Sequence, residues 1–256
     1  MPRGLLVAIT LLLVTPLFAV ATIVLGLLSP LGIVRWAVRG WGRTILRAAG
    51  VRVHVEGGAR AHATRPAVVA SNHASAIDIY LLCGHFPWPF GIAAKRQLFR
   101  IPLFGWALRA TGGIPIERTG TRRDIERLDQ AARRFSRGVH MVFYAEGTRS
   151  RDGRLQPFKK GAFATAIRHG VPVIPVAIVG THLVQPAKSF RVRAGEVTLR
   201  FLEPVPTAGL GPGDRDRLVE EVRRRIAAAL PADQLPAADP DPSVARPDRA
   251  NPEVAN

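Results

Sequence analysis

The sequence predicts an α/β fold: one layered domain with a mixed β-sheet flanked by helices, preceded by an N-terminal hydrophobic helical segment suited to membrane association. Three observations predict it. Residues Leu5 to Leu28 hold no charged side chain. Between residues 51 and 230, short apolar or alternating runs trade places with segments of helical period. From Pro231 onward, six prolines in 26 residues without periodicity mark a disordered tail. The expected divisions are therefore 1–49, 50–230 and 231–256.

As a continuous helix the uncharged run would reach about 36 Å, enough to cross a hydrocarbon core. Pro16 interrupts it and Ser29-Pro30 closes it, so a kinked span or a shallow two-helix insertion fits as well as a straight one. Arg3, the apolar run and Ala19-Val20-Ala21 also have the shape of a cleaved signal peptide. Against cleavage, the apolar character continues to Val34 and one basic residue alone precedes it. Arg35, Arg39, Arg43 and Arg47 then recur every four residues, with Trp36 and Trp41 among them and no acid before Glu56. On a helix they share one broad face. An isolated stripe of this kind would read as a solvated face; beside the apolar run it suits an anionic headgroup layer, at about 1 kcal/mol per arginine.

Val51 to Glu56 alternates strictly and reads as a half-buried strand. Pro66 to Ser71 is a short buried strand ending in Asn72-His73, and Ser75 to Leu82 reads as a helix. Thr121 to Ser136 is an amphipathic helix with Ile125, Leu128, Ala132 and Phe135 on one face, stopped by Gly138. Val139 to Tyr144 is a strand and Gly161 to His169 a helix. Val171 to Val179 is an apolar strand whose Pro172 and Pro175 predict an edge or irregular position. Glu196 to Phe201 alternates again, and Asp214 to Leu230 is a final helix. No internal repeat is present.

The charge narrows the partners. The chain has 36 Lys+Arg against 19 Asp+Glu, a net +17. Such a field favours nucleic acid, anionic lipid or phosphorylated substrates without choosing among them. Cys83 is the single cysteine, which excludes an intramolecular disulfide and a cysteine-based zinc site.

Asn72-His73-Ala74-Ser75-Ala76-Ile77-Asp78 sits where a buried strand gives way to a helix. On one regular helix His73 and Asp78 would point about 140° apart. They meet only if His73 lies in the turn and Asp78 in the first helical turn, with Ser75 as N-cap. The carboxylate would then fix one imidazole nitrogen and leave the other free as a base. Ser75 to Asp78 also reads as a capping box, a purely structural use of Asp78. Tyr144-Ala145-Glu146-Gly147-Thr148-Arg149-Ser150 follows a second buried strand, where Gly147 permits a sharp turn and Arg149 offers a fork for a phosphate. Alone, it would read as an ordinary glycine turn. Lys95 to Trp106 mixes cations with large apolar groups and leads into Gly113-Ile114-Pro115-Ile116-Glu117-Arg118. That mixture suits an anionic head with an acyl chain, or simply a basic rim over core.

These blocks, in this order, resemble the glycerolipid acyltransferase family that includes the 1-acylglycerol-3-phosphate acyltransferases. The first motif is similar to Asn72-His73 through Asp78 and the second to Gly113 through Arg118. The third is similar to Glu146 through Ser150 and the fourth to Val171-Pro172-Val173-Ile174-Pro175-Val176, so the resemblance spans roughly 50–205. It implies that His73 is the base and Asp78 its partner. It implies further that Arg118, Glu146, Gly147, Thr148 and Arg149 bind the glycerol phosphate, with Lys95 an addition. Ala145 stands where proline is usual, Glu117 where aspartate is common, and Ala76 where a bulkier residue is frequent.

The implied reaction moves a fatty acyl group from acyl-CoA or an acyl carrier protein to the sn-2 hydroxyl of lysophosphatidic acid or another lysolipid. Neither a metal nor a cofactor is required. The expected setting is an anionic membrane surface, with the catalytic domain at the cytoplasmic face and no nucleic acid as partner. Four other readings explain less. A nucleic-acid-binding protein leaves the apolar N-terminus unexplained and lacks a binding motif. A serine hydrolase lacks its Gly-x-Ser-x-Gly elbow. Cys83 as nucleophile competes with simple packing in an apolar helix. A membrane-bound scaffold with lost activity would keep the motifs but fail an acyltransferase assay.

Overall fold

A computed structural model of the chain describes residues 3–28, 34–117 and 122–236. In chain order the elements are α1 (Arg3–Leu28), α2 (Val34–Ala48), β1 (Val51–Glu56), α3 (Gly58–Ala63), β2 (Val68–Ser71), α4 (Ile77–His85), β3 (Phe90–Lys95), α5 (Phe104–Ala110) and β4 (Ile114–Ile116). There follow α6 (Arg122–Ala132), β5 (His140–Tyr144), α7 (Gly161–His169), β6 (Val173–Val179), α8 (Thr181–Val184), β7 (Gly195–Phe201) and α9 (Arg215–Ala228).

The strands form one mixed sheet in the order β1-β7-β6-β2-β5-β3-β4. β6, β2, β5, β3 and β4 run parallel; β7 meets β6 antiparallel and carries β1 alongside it. Because side chains alternate along a strand, each inner strand feeds two cores. Val68, Ala70, Met141 and Phe143 pack with Leu128, Phe163 and Val222 from α6, α7 and α9. Val69, Val142, Tyr144 and Ile174 pack on the other face with Ile45, Leu46, Ile77 and Leu81 from α2 and α4. Full coverage on both faces explains why the inner strands read as continuous apolar runs.

Several expectations are corrected. Pro16 lies inside an unbroken α1, which is long and apolar enough to cross a membrane. The proline-bearing β6 is interior, between β7 and β2. Along its β7 side, Val173 bridges Val205 whereas Val176 pairs with Phe201, so two intervening residues oppose three. Pro175 sits in that irregularity, where its carbonyl accepts from Leu202 N at 2.9 Å and no donor is asked of it. Ile125, expected on the buried face of α6, is 42% exposed, while Leu128, Ala132 and Phe135 are buried. β3 and β4 had no sequence signature, because Phe90-Gly-Ile-Ala-Ala-Lys95 neither alternates nor forms a continuous large apolar run.

The arginine stripe is on α2 as expected, and two of its members bond to the end of α4. Arg39 Nη2 donates to Phe86 O at 2.8 Å and Arg43 Nε to Gly84 O at 3.0 Å, complementing the carbonyl end of α4. The two helices cross closely: a Cβ on Gly42 would lie 2.6 Å from both Gly84 N and Tyr80 O. The first residues of the expected tail are also ordered. Gln234 is buried; its Oε1 accepts from Gly180 N (2.9 Å), and its carbonyl accepts from Leu155 N (2.9 Å). Residues 237–256 lie outside the described part.

Candidate active site

The parallel strands β2, β3, β4 and β5 deliver their carboxyl ends to one edge of the sheet. That edge is where α/β sheets expose loop residues for ligands. Asn72, just past β2, clasps the neighbouring strand: Oδ1 accepts from Ile178 N and Nδ2 donates to Ile178 O, each at 2.8 Å. His73 follows on a chain already held in place.

Asp78 reaches back from the first turn of α4, as the spacing required. One carboxylate oxygen, Oδ2, accepts from His73 Nδ1 at 2.7 Å, Ala74 N at 2.8 Å and Ser75 N at 2.9 Å. The structural and chemical uses of Asp78 are therefore one arrangement rather than rivals. Ser75 Oγ in turn accepts from Ile77 N at 3.1 Å and donates to Gln185 O at 2.7 Å. Two backbone donors on Oδ2 make it an acceptor toward the ring, so Nδ1 carries the proton and Nε2 offers its lone pair. Nε2 has no protein partner among the described residues, and the His73 side chain is 7% exposed. The Tyr144 ring stacks on the imidazole with centroids 3.8 Å apart and planes 14° from parallel.

The segment after β5 grips His73 from the other side. Glu146 Oε1 accepts from His73 N at 3.1 Å, and Ser150 N donates to His73 O at 2.8 Å. Glu146 is only 4% exposed. Burial pushes its carboxyl up to about 8, against hydrogen bonds from the His73 and Gln156 main chain. The resemblance implied contact with a glycerol phosphate; in the structure this side chain holds the His73 main chain through Oε1. Gly147 takes φ +78°, and its N–H donates to Tyr144 O at 2.9 Å, closing the turn. Thr148 and Arg149 are exposed beyond it. Arg149 lies near enough to Tyr80 on α4 to pull its phenol down, though burial dominates and raises it to about 12.

Lys95 is exposed at the carboxyl end of β3, in register with Ile116 of β4. Arg118 lies outside the described residues. Its neighbour Glu117 accepts from Arg96 Nη1 at 2.7 Å, and Glu117 N donates to Asp124 Oδ1 at 2.9 Å. Among the described residues no group of three or more His, Cys, Asp or Glu is placed to hold a metal ion. Sequence reasoning missed the Tyr144 stack and the Glu146 clamp. The signal available was adjacency, since both residues lie in the turn that Gly147 closes on Tyr144.

An apolar cavity, partly open to solvent, lies between α1, α2, α5 and β3. Phe18, Val38, Phe86, Phe104 and Leu108 line it, and Cys83 of α4 reaches its wall. Burial pushes the Cys83 thiol up to about 12, which keeps it protonated and supports the packing reading.

An acyltransferase family profile matches residues 52–179. The chain is 36% identical over 166 residues to a chloroplastic 1-acyl-sn-glycerol-3-phosphate acyltransferase from Brassica napus, covering 64% of this chain and 46% of that one. It is 34% identical over 178 residues to 1-acyl-sn-glycerol-3-phosphate acyltransferase alpha from Homo sapiens, covering 69% and 63%. The chain spans about half the length of several curated relatives it matches, with 46%, 49% and 45% covered. The crystal structure of the 1-acyl-sn-glycerophosphate (LPA) acyltransferase PlsC from Thermotoga maritima superposes with a TM-score of 0.75 at 27% identity, covering 89% of this chain and 94% of that one. With the profile spanning both the His73–Asp78 pair and the Glu146 clamp, this chain belongs to the acyltransferase family.

Proposed function

We propose that the chain is a 1-acyl-sn-glycerol-3-phosphate O-acyltransferase, which esterifies the sn-2 hydroxyl of lysophosphatidic acid to give phosphatidic acid. The observation that carries this reading is the oriented imidazole: Nδ1 is committed to Asp78 at 2.7 Å and Nε2 is left for a substrate proton. His73 Nε2 takes the hydroxyl proton as that oxygen attacks the thioester carbonyl of acyl-CoA or acyl carrier protein. The tetrahedral intermediate then expels the thiolate, which recovers the proton from His73. Asp78 stabilises the imidazolium in between. Exposed Arg149 and Lys95 supply charge for the acceptor phosphate, and the apolar cavity suits a fatty acyl chain.

Residues 1–49 hold the enzyme on an anionic membrane surface, with the catalytic domain at the cytoplasmic face. The apolar α1 and the basic flank on its C-terminal side support this orientation. The test is acyl transfer to lysophosphatidate from acyl-CoA and from acyl carrier protein, with His73→Ala as control. Wild type should form phosphatidate with at least one donor, and the folded variant should lose about 10²–10⁴-fold. Preference for a different lysolipid would overturn the acceptor; near-normal turnover by His73→Ala would overturn the mechanism.

A further inference from the structure

The phosphate-binding cations implied by the motifs do not include a lysine that the fold places against the Gly147 turn. Lys159 N donates to Ala145 O at 2.7 Å, pinning this residue to the end of β5 beside Glu146. Its side chain runs across the glycine: a Cβ on Gly147 would lie 3.2 Å from Lys159 Cγ and 3.8 Å from Cε. The ammonium is one bond of about 1.5 Å further on. It is therefore held beside the turn that presents Thr148 and Arg149.

The surrounding charges leave this cation uncompensated. The adjacent Lys160 is engaged by Asp216 at 2.7 Å. Asp152 Oδ1 accepts from Ser150 Oγ at 2.8 Å and Arg154 N at 3.1 Å. Glu146 is turned inward to His73 N. Lys159 is exposed and makes no side-chain hydrogen bond or ion pair among the described residues. Two cations near one turn repel unless an anion sits between them. A guanidinium supplies a fixed fork and an ammonium a mobile point charge, so the pair can grip a phosphate from two sides.

We propose that Lys159 is a further phosphate-binding residue of this site, acting with Arg149 on a phosphate carried by the acceptor head or by the CoA part of the donor. The inference rests on the acyl-transfer reading above. It also gives Gly147 a second reason to be glycine: besides its left-handed φ of +78°, a side chain there would displace the lysine stem.

The test uses the full chain with Lys159→Met, which keeps a stem over Gly147, and Lys159→Arg, which keeps the charge. Thermal melting first establishes that both fold as wild type does. With lysophosphatidate and acyl-CoA, Lys159→Met should lower kcat/KM about tenfold, mainly through KM, and Lys159→Arg should restore most of it. The loss should vanish with monoacylglycerol as acceptor if the acceptor phosphate is bound. It should vanish instead with acyl-pantetheine as donor if the CoA phosphates are bound. An unchanged Lys159→Met, or an equal loss on all substrates, overturns the proposal. Calorimetric binding of glycerol 3-phosphate and of CoA separates this from failure of the acyl-transfer reading. Wild type that binds either phosphate about tenfold more tightly than Lys159→Met, yet acylates no lysophosphatidate, would support the Lys159 site and sink that activity.

Discussion

Glu146 and His73, 73 residues apart in sequence, are joined by a hydrogen bond from the His73 main-chain N–H to Glu146 Oε1 at 3.1 Å. Together with the Ser150 N–H on His73 O at 2.8 Å, it makes the turn after β5 a mould for the turn after β2. The imidazole is thus fixed at three levels: its main chain by residues 146–150, its plane by Tyr144 and its tautomer by Asp78.

Stability should fall as pH rises because of Glu146. Its folded carboxyl is pushed up to about 8 by burial, above the ordinary glutamate value. Between about pH 4.5 and 8 the unfolded chain has released this proton while the folded one retains it, so unfolding becomes easier by at most about 1.4 kcal/mol per pH unit. Glu146→Gln does not ionise and keeps an acceptor for His73 N. Its melting temperature should decline less across pH 5–8 than that of wild type; parallel profiles would assign the proton elsewhere.

Asp78 should be needed for the fold and for turnover in separable ways. Asp78→Asn retains an oxygen for Ala74 N and Ser75 N but weakens its hold on His73, so kcat should fall steeply while the melting temperature changes little. Asp78→Ala strands two buried N–H groups, at about 1–3 kcal/mol each. Paired with His73→Ala, Asp78→Asn should add little further loss. Independent, multiplicative losses in the double variant would show that the two residues do not work together.

Tyr144 should serve through its ring and not its hydroxyl. The hydroxyl is buried without a hydrogen-bond partner among the described residues, while the ring stacks on His73 at 3.8 Å. Tyr144→Phe should match or exceed wild type in stability by about 1 kcal/mol, with kcat unchanged. Tyr144→Ala should lose kcat because the imidazole is no longer held flat. A large kcat loss in Tyr144→Phe would give the hydroxyl a role in the reaction.

The α2 arginines should divide into two classes. Arg39→Ala and Arg43→Ala should destabilise the fold by about 1 kcal/mol each, since their partners are the carbonyls of Phe86 and Gly84. Exposed Arg47→Ala should leave the melting temperature alone and weaken sedimentation with anionic vesicles in a salt-sensitive way. Equal effects on melting would mean the stripe is structural throughout.

The sequence by itself determined the elements whose apolar period is strong, and it named the chemical pair. Val139 to Tyr144 was legible as a continuous apolar run because β5 is covered on both faces, and Gly161 to His169 because one buried face sets its period. His73 and Asp78 were legible because a strand-to-helix turn is the local geometry that lets residues five apart meet, and that contact closes within one turn of chain. Tertiary structure alone decided what depends on distant partners. The interior place of β6 follows from its pairing irregularity with residues 201–205, which cancels the edge signal of Pro175. The bonds of Arg39 and Arg43 to the end of α4 follow from the crossing of α2 with α4 at Gly42 and Gly84. Glu146 became a clamp only when parallel pairing of β2 with β5 set Ser71 opposite Tyr144, bringing the two following turns together. The hold of Glu146 on the His73 main chain was not legible in its motif, because burial is a property of the assembled sheet.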